Sequence, residues 1–225
     1  MSVSLLLAAG SVAALTFVGM RDARAARAAR RAMLDDCAGA LDRRELSHAA
    51  DSFPRLSGLY RGREARVDLL CDTMTIRRLP QLWMRATLLA ANPGRPGFAI
   101  LVRPSGMGSE FYSLTSTFEH RLAAPDGFPA EVLIRGDDGA EALLAELADT
   151  LHVILADPHV KEIAVTPRGV RILRQAGEGK RGDHLLLRQS VFEDTSVARQ
   201  DLTAVLEQLE AIRSVADAYG RACAA

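Results

Sequence analysis

The chain has 225 residues, of which 48% are hydrophobic and 25% charged, and its 28 basic and 28 acidic residues give no net charge. These proportions are typical of a folded globular protein and exclude a disordered chain. Cys37, Cys71 and Cys223 are an odd number without paired spacing, which excludes a disulfide framework or a zinc cluster and fits a reducing compartment.

The first predicted element is a membrane-spanning helix. The eighteen residues from Val3 to Met20 include no charged side chain. As a helix they extend about 27 Å, close to the bilayer's hydrocarbon thickness of about 30 Å. We predict a transmembrane anchor over residues 1–20 and an Arg/Ala-rich juxtamembrane stem over residues 21–32.

Five arginines in the stem predict the orientation of the anchor: Arg21, Arg24, Arg27, Arg30 and Arg31. Arginine is retained on the cytoplasmic side, so we expect a single-pass protein of a bacterial inner membrane, its body cytoplasmic and these arginines contacting anionic lipid headgroups. Two alternatives stay open, a buried core helix and a signal peptide cleaved after Ala25 that would release an exported periplasmic domain. Signal peptides carry their positive charge before the apolar run, which favours the anchor here.

The zero net charge conceals opposite charges on two parts of the chain. Residues 21–103 contain sixteen arginines and nine acidic residues, a charge of +7, whereas residues 104–225 contain twelve basic and nineteen acidic residues, a charge of −7. One interpretation is that the basic part, which adjoins the anchor, lies against anionic lipid. The other is that the two parts neutralise each other across an internal interface.

After the stem, apolar residues at helical spacing from Leu34 to Ala50 predict a helix that ends before Phe53. This helix could continue from the anchor through the stem. Next, Arg61-Gly62-Arg63 is predicted to be the turn of a hairpin whose second strand, Ala65–Cys71, places Val67, Leu69 and Cys71 on one face. Further strands are predicted over Thr73–Arg78, Leu82–Ala90, Phe98–Arg103 and Glu131–Arg135.

Two helices and several strands are predicted in the second half. Asp138 and Glu141 form a helix start signal before an apolar stripe that ends at Leu155. A last helix is predicted from near Ser196 to Gly220, with one apolar face. The strands between the helices are Glu162–Thr166, Val170–Arg174 and His184–Arg188, the first two joined by a tight turn at Pro167-Arg168-Gly169.

These elements predict an α+β fold for a cytoplasmic domain over residues 33–225, with an antiparallel sheet packed by helices on one face. The strand–helix–strand alternation of a parallel sheet is absent from the pattern. A helix followed by short strands occurs twice, which suggests two pseudo-repeated lobes over residues 33–136 and 137–225.

The sequence predicts no catalytic residue, metal site or cofactor. The glycine-rich stretch 177–182 joins two predicted strands, whereas a phosphate-binding loop precedes a helix. Residues 103–109 lack the G-x-S-x-G spacing of a nucleophile turn. The five histidines do not have the spacing of metal ligands. A binding module is therefore favoured over an enzyme.

A basic face is predicted around the hairpin, where arginines accompany Tyr60 and Trp83. Nucleic acid is not expected as its partner, because aromatic residues are only 5% of the chain and no RNA-binding signature is present. The predicted basic face consists of Arg61, Arg63, Arg66, Arg77, Arg78 and Arg85.

The order of anchor, helical stem and α+β domain, with Ser57-Gly58-Leu59-Tyr60-Arg61-Gly62-Arg63 leading into a hairpin, resembles bacterial single-pass membrane proteins with domains of unknown function. The resemblance implies no catalytic residue. We therefore expect a membrane-anchored binding or scaffold module that contacts anionic lipid through its arginines. Exposed parts of the last helix would bind a protein partner or a second copy. The alternative is a membrane-tethered enzyme whose site is assembled from distant residues.

Overall fold

The computed structural model describes residues 3–73, 79–92, 94–105, 110–179, 192 and 196–224, without the side chains of residues 3–9, 223 and 224. The fold is α+β, as the sequence predicts, and the described strands form one antiparallel sheet of nine strands. The described residues also form the α-helices α1 (Val3–Ala32), α2 (Ala140–Glu146), α3 (Ala148–Leu155) and α4 (Arg199–Ala224). Short 3-10 helices lie at Asp36–Ala40 and Thr115–Thr117.

The strands do not follow one another across the sheet in chain order. The spatial order is β1-β2-β3-β4-β9-β8-β5-β7-β6. Two strands of the predicted second lobe (137–225), β8 and β9, lie between β4 and β5 of the predicted first lobe (33–136), so one sheet runs through both. The strands are β1 (Asp42–His48), β2 (Pro54–Tyr60), β3 (Arg63–Asp72), β4 (Gln81–Leu89), β5 (Phe98–Val102), β6 (His120–Arg121), β7 (Val132–Gly136), β8 (Val160–Thr166) and β9 (Gly169–Glu178).

One face of the sheet carries the main core, because alternate strand residues pack there against α2, α3 and α4. In β3, Ala65, Val67 and Leu69 are buried on this face, as the period-two pattern predicts, while Cys71 is half-buried. The buried stripe of α4, from Leu202 to Ala216, covers the same face. Burial of these apolar stripes is the main force that places the helices on the sheet.

The opposite face is covered by a chain segment instead of a helix layer. Residues 110–122 cross the central strands, where Tyr112 packs with Trp83 and Leu173, and Phe118 packs with Ala99 and Ala164. The outer strands β1 to β3 carry exposed charged side chains on this face.

The predicted helix from Leu34 to Ala50 is wrong beyond its first turns. The 3-10 helix Asp36–Ala40 is followed by β1, an edge strand whose seven residues are all exposed. Leu46 lies opposite Leu56 of β2, so pairing with an existing strand replaces the helix. The tertiary partner overrides the local helical spacing. One helix, α1, does run from Val3 through the predicted stem, but it ends at Ala32, before the segment that was predicted to continue it.

The predicted helix start is confirmed to within two residues, with Glu141 in the first turn, but Asp138 is not the N-cap residue. Helix α2 begins at Ala140, and the N-cap position is taken by Gly139, which has a φ of 77°. Asp138 Oδ1 instead lies 3.0 Å from His120 Nε2. The helical stripe itself is confirmed, although it divides at Leu147 into α2 and α3. The last helix is confirmed and continues past Gly220 to Ala224.

Several predicted features lie outside the described residues. The strand His184–Arg188 and most of the strand Thr73–Arg78 cannot be compared with the structure, and neither can parts of the two glycine-containing loops at 103–109 and 177–182. Two arginines of the predicted basic face, Arg77 and Arg78, belong to this group.

Candidate functional site

The most unusual surface of the described protein is on helix α1, which extends away from the domain and exposes large apolar side chains between Val12 and Met20. Every residue from Gly10 to Ala25 is exposed, whichever side of the helix it occupies. A helix that is apolar all round is stable only when buried in protein or lipid. The large exposed apolar side chains on it are Val12, Leu15, Phe17, Val18 and Met20.

No helix in the described part of the chain is long and apolar enough to cross a membrane. The side chains of residues 3–9, which make up more than a third of the predicted span, lie outside that part. The anchor over residues 1–20 therefore stays a prediction.

The stem arginines do not all point the same way. At about 100° per residue, Arg24, Arg27 and Arg31 have the i, i+3, i+7 spacing of one helix face, and all three are exposed. Arg21 lies beside Asp22, with 3.4 Å between Nε and Oδ1. Arg30 is half-buried and its guanidinium lies 5.4 Å from the ring centroid of Phe53, so it faces the domain. Three of the five predicted lipid contacts thus form one continuous cationic stripe.

The foot of α1 is built into the domain. Met33 and Leu34, just past the helix end, are buried, as is Cys37 in the following 3-10 helix. The backbone N–H of Val197 donates to the Met33 carbonyl (2.8 Å), and the Cys37 thiol donates to the Val197 carbonyl (3.2 Å). Burial, with Asp36 and Asp201 adding negative charge nearby, raises the pKa of Cys37 to about 12, which fits the structural role predicted for this thiol.

The hairpin arginines at the β2–β3 turn face helix α4. Arg61 stacks over the Tyr60 ring at 5.2 Å and lies 4.0 Å from the Glu207 carboxylate. The pKa of Glu210 lies below its usual range, chiefly because Arg213 donates hydrogen bonds to it, with smaller effects from the charges of Arg63 and Arg61. These two arginines therefore lie near acidic side chains of the same molecule.

The other described arginines of the predicted basic face lie on the opposite side of the sheet, each beside a carboxylate. Arg66 donates to Glu64 (2.6 Å), and Arg85 donates to both oxygens of Asp68, at 2.9 and 2.5 Å. The structure does not bring the described members together on one surface.

The two oppositely charged parts of the chain meet inside the fold. Arg61 of the basic part lies near Glu207 of the acidic part, and the buried Arg95 pairs with Asp217, with 3.4 Å between Nη1 and Oδ1. Arg95 also donates to the Thr166 carbonyl (2.5 Å), which ties the 92–97 loop to the sheet and to α4. Internal neutralisation thus accounts for part of the charge asymmetry.

Sequence reasoning missed a buried charge network under the 110–122 segment. Glu162 is 0% exposed, accepts a short hydrogen bond from Arg171 and accepts the Leu114 N–H at 3.0 Å. Beside it, Lys161 donates to the carbonyls of Val102 and Arg103 at 3.0 and 2.7 Å. Glu162 and Arg171 flank the predicted 167–169 turn, so pairing the two strands in register would have placed them on one face.

This network joins separate segments of the chain through hydrogen bonds and ion pairs. Glu110 lies 3.5 Å from Lys161 Nζ; burial alone would raise its pKa, but hydrogen bonds from Ser105 and the charge of Lys161 bring it below its usual range. Among the described residues, no three His, Cys, Asp or Glu side chains are grouped as a metal site would need.

Two cavities lie near the α1 foot. An open groove of about 660 Å³ follows the exposed side of the first turns of α4 and includes Asp36, Thr203 and Glu207. A more enclosed polar cavity of about 270 Å³ lies between the sheet and the start of α4, where Arg174 and Asp201 contribute opposite charges. Arg174 is already held by Asp157, with 2.8 Å between Nε and Oδ2.

No protein-family model matches the chain, and no curated protein matches it in sequence. The resemblance in layout to single-pass membrane proteins therefore stays a prediction.

Proposed function

We propose that this protein is a membrane-anchored, cytoplasm-facing binding or scaffold module of a bacterial inner membrane. The observation that carries the proposal is the exposed apolar surface of α1 between Val12 and Met20. Fully burying a large apolar side chain yields about 1.5–3 kcal/mol, so the five residues, which are 44–73% exposed, together favour transfer out of water by roughly 4–9 kcal/mol. The apolar residues 3–9 extend the same run towards the N-terminus.

The cationic stripe of Arg24, Arg27 and Arg31 supports the lipid part of the proposal. It begins four residues after Met20, where a helix leaving the hydrocarbon core enters the headgroup layer. Each arginine near an anionic surface contributes about 1 kcal/mol. Arg61, Arg63, Arg66 and Arg85 are weaker candidates, because carboxylates of the same chain lie close to them.

A protein partner is proposed for the groove beside α4. Its lining combines apolar and charged side chains, among them Ala198 and Ala204 with Arg199 and Glu207. Such a mixture is typical of transient interfaces. A tethered enzyme is the alternative function, favoured only by the more enclosed cavity that contains Arg174 and Asp201.

Membrane fractionation with protease protection tests the anchor and its orientation. A C-terminally tagged chain should stay with carbonate-washed membranes and be digested only after the inner membrane is opened. Replacing both Val12 and Leu15 by Arg should release it, since each charge near the centre of a span costs about 2.5–3.5 kcal/mol.

Val153→Arg, which adds a single arginine outside the predicted span, is the control for this variant. Val153 is as exposed as Leu15, at 73%, but lies on α3 of the domain. This control should remain with the membranes. A wild-type tag that is soluble in the periplasm, with an N-terminus at Ala26, would instead establish an exported domain.

A further inference from the structure

Helix α1 meets the domain through packed core residues and not through a flexible linker. The helix is continuous from Val3 to Ala32, and the two residues after it are already buried, Leu34 completely and Met33 to 97%. Hydrogen bonds from Met33 N–H to the Arg30 carbonyl (3.2 Å) and from Asp35 N–H to the Ala32 carbonyl (2.9 Å) continue the turn into the core. Gly and Ser, which make linkers flexible, are absent between Met20 and Cys37.

Three parts of the domain hold this junction. Phe53, just before β2, lies beneath the Arg30 guanidinium and packs edge-on against Phe192, with ring centroids 6.2 Å apart. The start of α4 is joined through the Val197 backbone to Met33 and Cys37. Arg199 Nη2 donates to the Gly39 carbonyl at 2.8 Å. The arginine packs closely on this residue, because a Cβ atom at Gly39 would be only 3.1 Å from Arg199 Nη1.

We infer that α1 is a rigid stalk that moves with the domain as one body and transmits the orientation of the anchor to the start of α4. The stem from Arg21 to Ala32 is then a spacer of about 18 Å. Val197 and Asp201 also line the polar cavity of about 270 Å³, so a tilt of α1 would displace residues that line this cavity. The orientation of the domain relative to a bilayer rests on the proposed anchoring. The rigidity of the junction between α1 and the domain does not depend on it.

Distance measurements between two spin labels test the stalk in the full chain in detergent micelles. The labels replace Ala25, which is exposed on the stem, and Ala204, which is exposed on α4, in a Cys71→Ser, Cys223→Ser background that keeps the buried Cys37. A rigid stalk gives one narrow distance distribution. A broad distribution in this parent protein would overturn the inference.

Two insertions after Ala28 provide the comparison. Four alanines preserve the helix and should shift the distribution by up to about 6 Å while leaving it narrow, because they add one turn. Four glycines should broaden it, since glycine weakens the helix by about 1 kcal/mol per residue.

Four glycines inserted after Gly62, in the open β2–β3 turn, form the control and should leave the distribution unchanged. Alanine and glycine insertions that give the same distribution would contradict a rigid stalk. The distance measurement does not involve a bilayer. It would therefore still test the rigidity of the stalk if fractionation showed that the chain is not anchored in a membrane.

Discussion

At the scale of single residues, the strongest constraint is the burial of charge at Glu162. This carboxylate is fully buried and faces Arg171, whose side chain is only 12% exposed. Burial of two charges costs several kcal/mol, which is offset only while both are present and hydrogen-bonded. Removing one member leaves the other uncompensated in the core.

Glu162→Gln should therefore lower the free energy of unfolding by about 3 kcal/mol. Glu64→Gln is the matched control: its partner Arg66 is 62% exposed, so the loss should stay below about 1 kcal/mol. Urea unfolding followed by circular dichroism measures both. Equal losses would show that burial does not set the strength of the Glu162 pair.

A second residue-scale prediction concerns pH. The folded state raises the pKa of Cys37 from 9.0 to about 12, mainly through burial, so it favours the protonated thiol. The resulting stabilisation is fully present below pH 9 and is lost as the pH rises towards 12. Burial likewise raises the pKa of Tyr112, which adds to the loss above pH 10.

Cys37→Ala should make the decline of unfolding free energy between pH 9 and 12 shallower by up to about 1.4 kcal/mol per pH unit. Unfolding curves at half-unit intervals of pH measure the two slopes. Parallel slopes in wild type and variant would mean that this thiol ionises equally easily in the folded and unfolded states.

At the scale of elements, the sheet depends on the close approach of β4 and β9. Gly169 begins β9 with a φ of 148°, and a Cβ there would lie 2.3 Å from the Leu88 carbonyl oxygen. A side chain would therefore force the two strands apart at the point where the sequence halves join.

Gly169→Ala should lower the free energy of unfolding by at least about 2 kcal/mol, because it combines backbone strain with a steric clash. Gly177→Ala in the same strand provides the comparison. Its Cβ would meet only Leu82, at 3.9 Å, so the effect should be small or slightly stabilising. Thermal unfolding ranks the two variants, and the reverse order would contradict the pairing of β4 with β9.

The elements also show where local pattern was sufficient. The β2–β3 hairpin, α3 and α4 follow from period-two or helical spacing, because each buries one face against the core. The residues of β1 were predicted to be helical, since Leu41, Leu46 and Ala49 also fit a helical stripe. Their strand depends on β2 as a pairing partner, which local spacing does not encode.

At the scale of the whole molecule, the exposed arginines fall into two groups, one on the stem of α1 and one around the β2–β3 hairpin. The stem stripe lies on exposed turns of α1, whereas Arg61 lies in the β2–β3 turn of the domain, 4.0 Å from the Glu207 carboxylate. If the stem sets the orientation, its arginines and those of the hairpin should behave differently when neutralised.

Replacing Arg24, Arg27 and Arg31 together by Gln should increase the fraction of chains whose C-terminus lies outside the cytoplasm, because the positive charge that fixes orientation is weakened. Replacing Arg61, Arg63 and Arg66 by Gln is the charge-matched control and should leave orientation unchanged. C-terminal reporters active on one side of the membrane measure both. An equal effect of the two sets of substitutions would contradict a specific role of the stem arginines in setting the orientation.

The sequence by itself determined the apolar run of α1, the arginines after it, the α+β class and the apolar faces of the hairpin and later helices, because these are local patterns of hydrophobicity and charge. Only the tertiary structure decided that β8 and β9 enter the middle of the sheet, that Glu162 and Arg171 share a buried site, and that Arg61 faces Glu207. These features depend on which distant segments meet. That choice is made by the packing of the whole core.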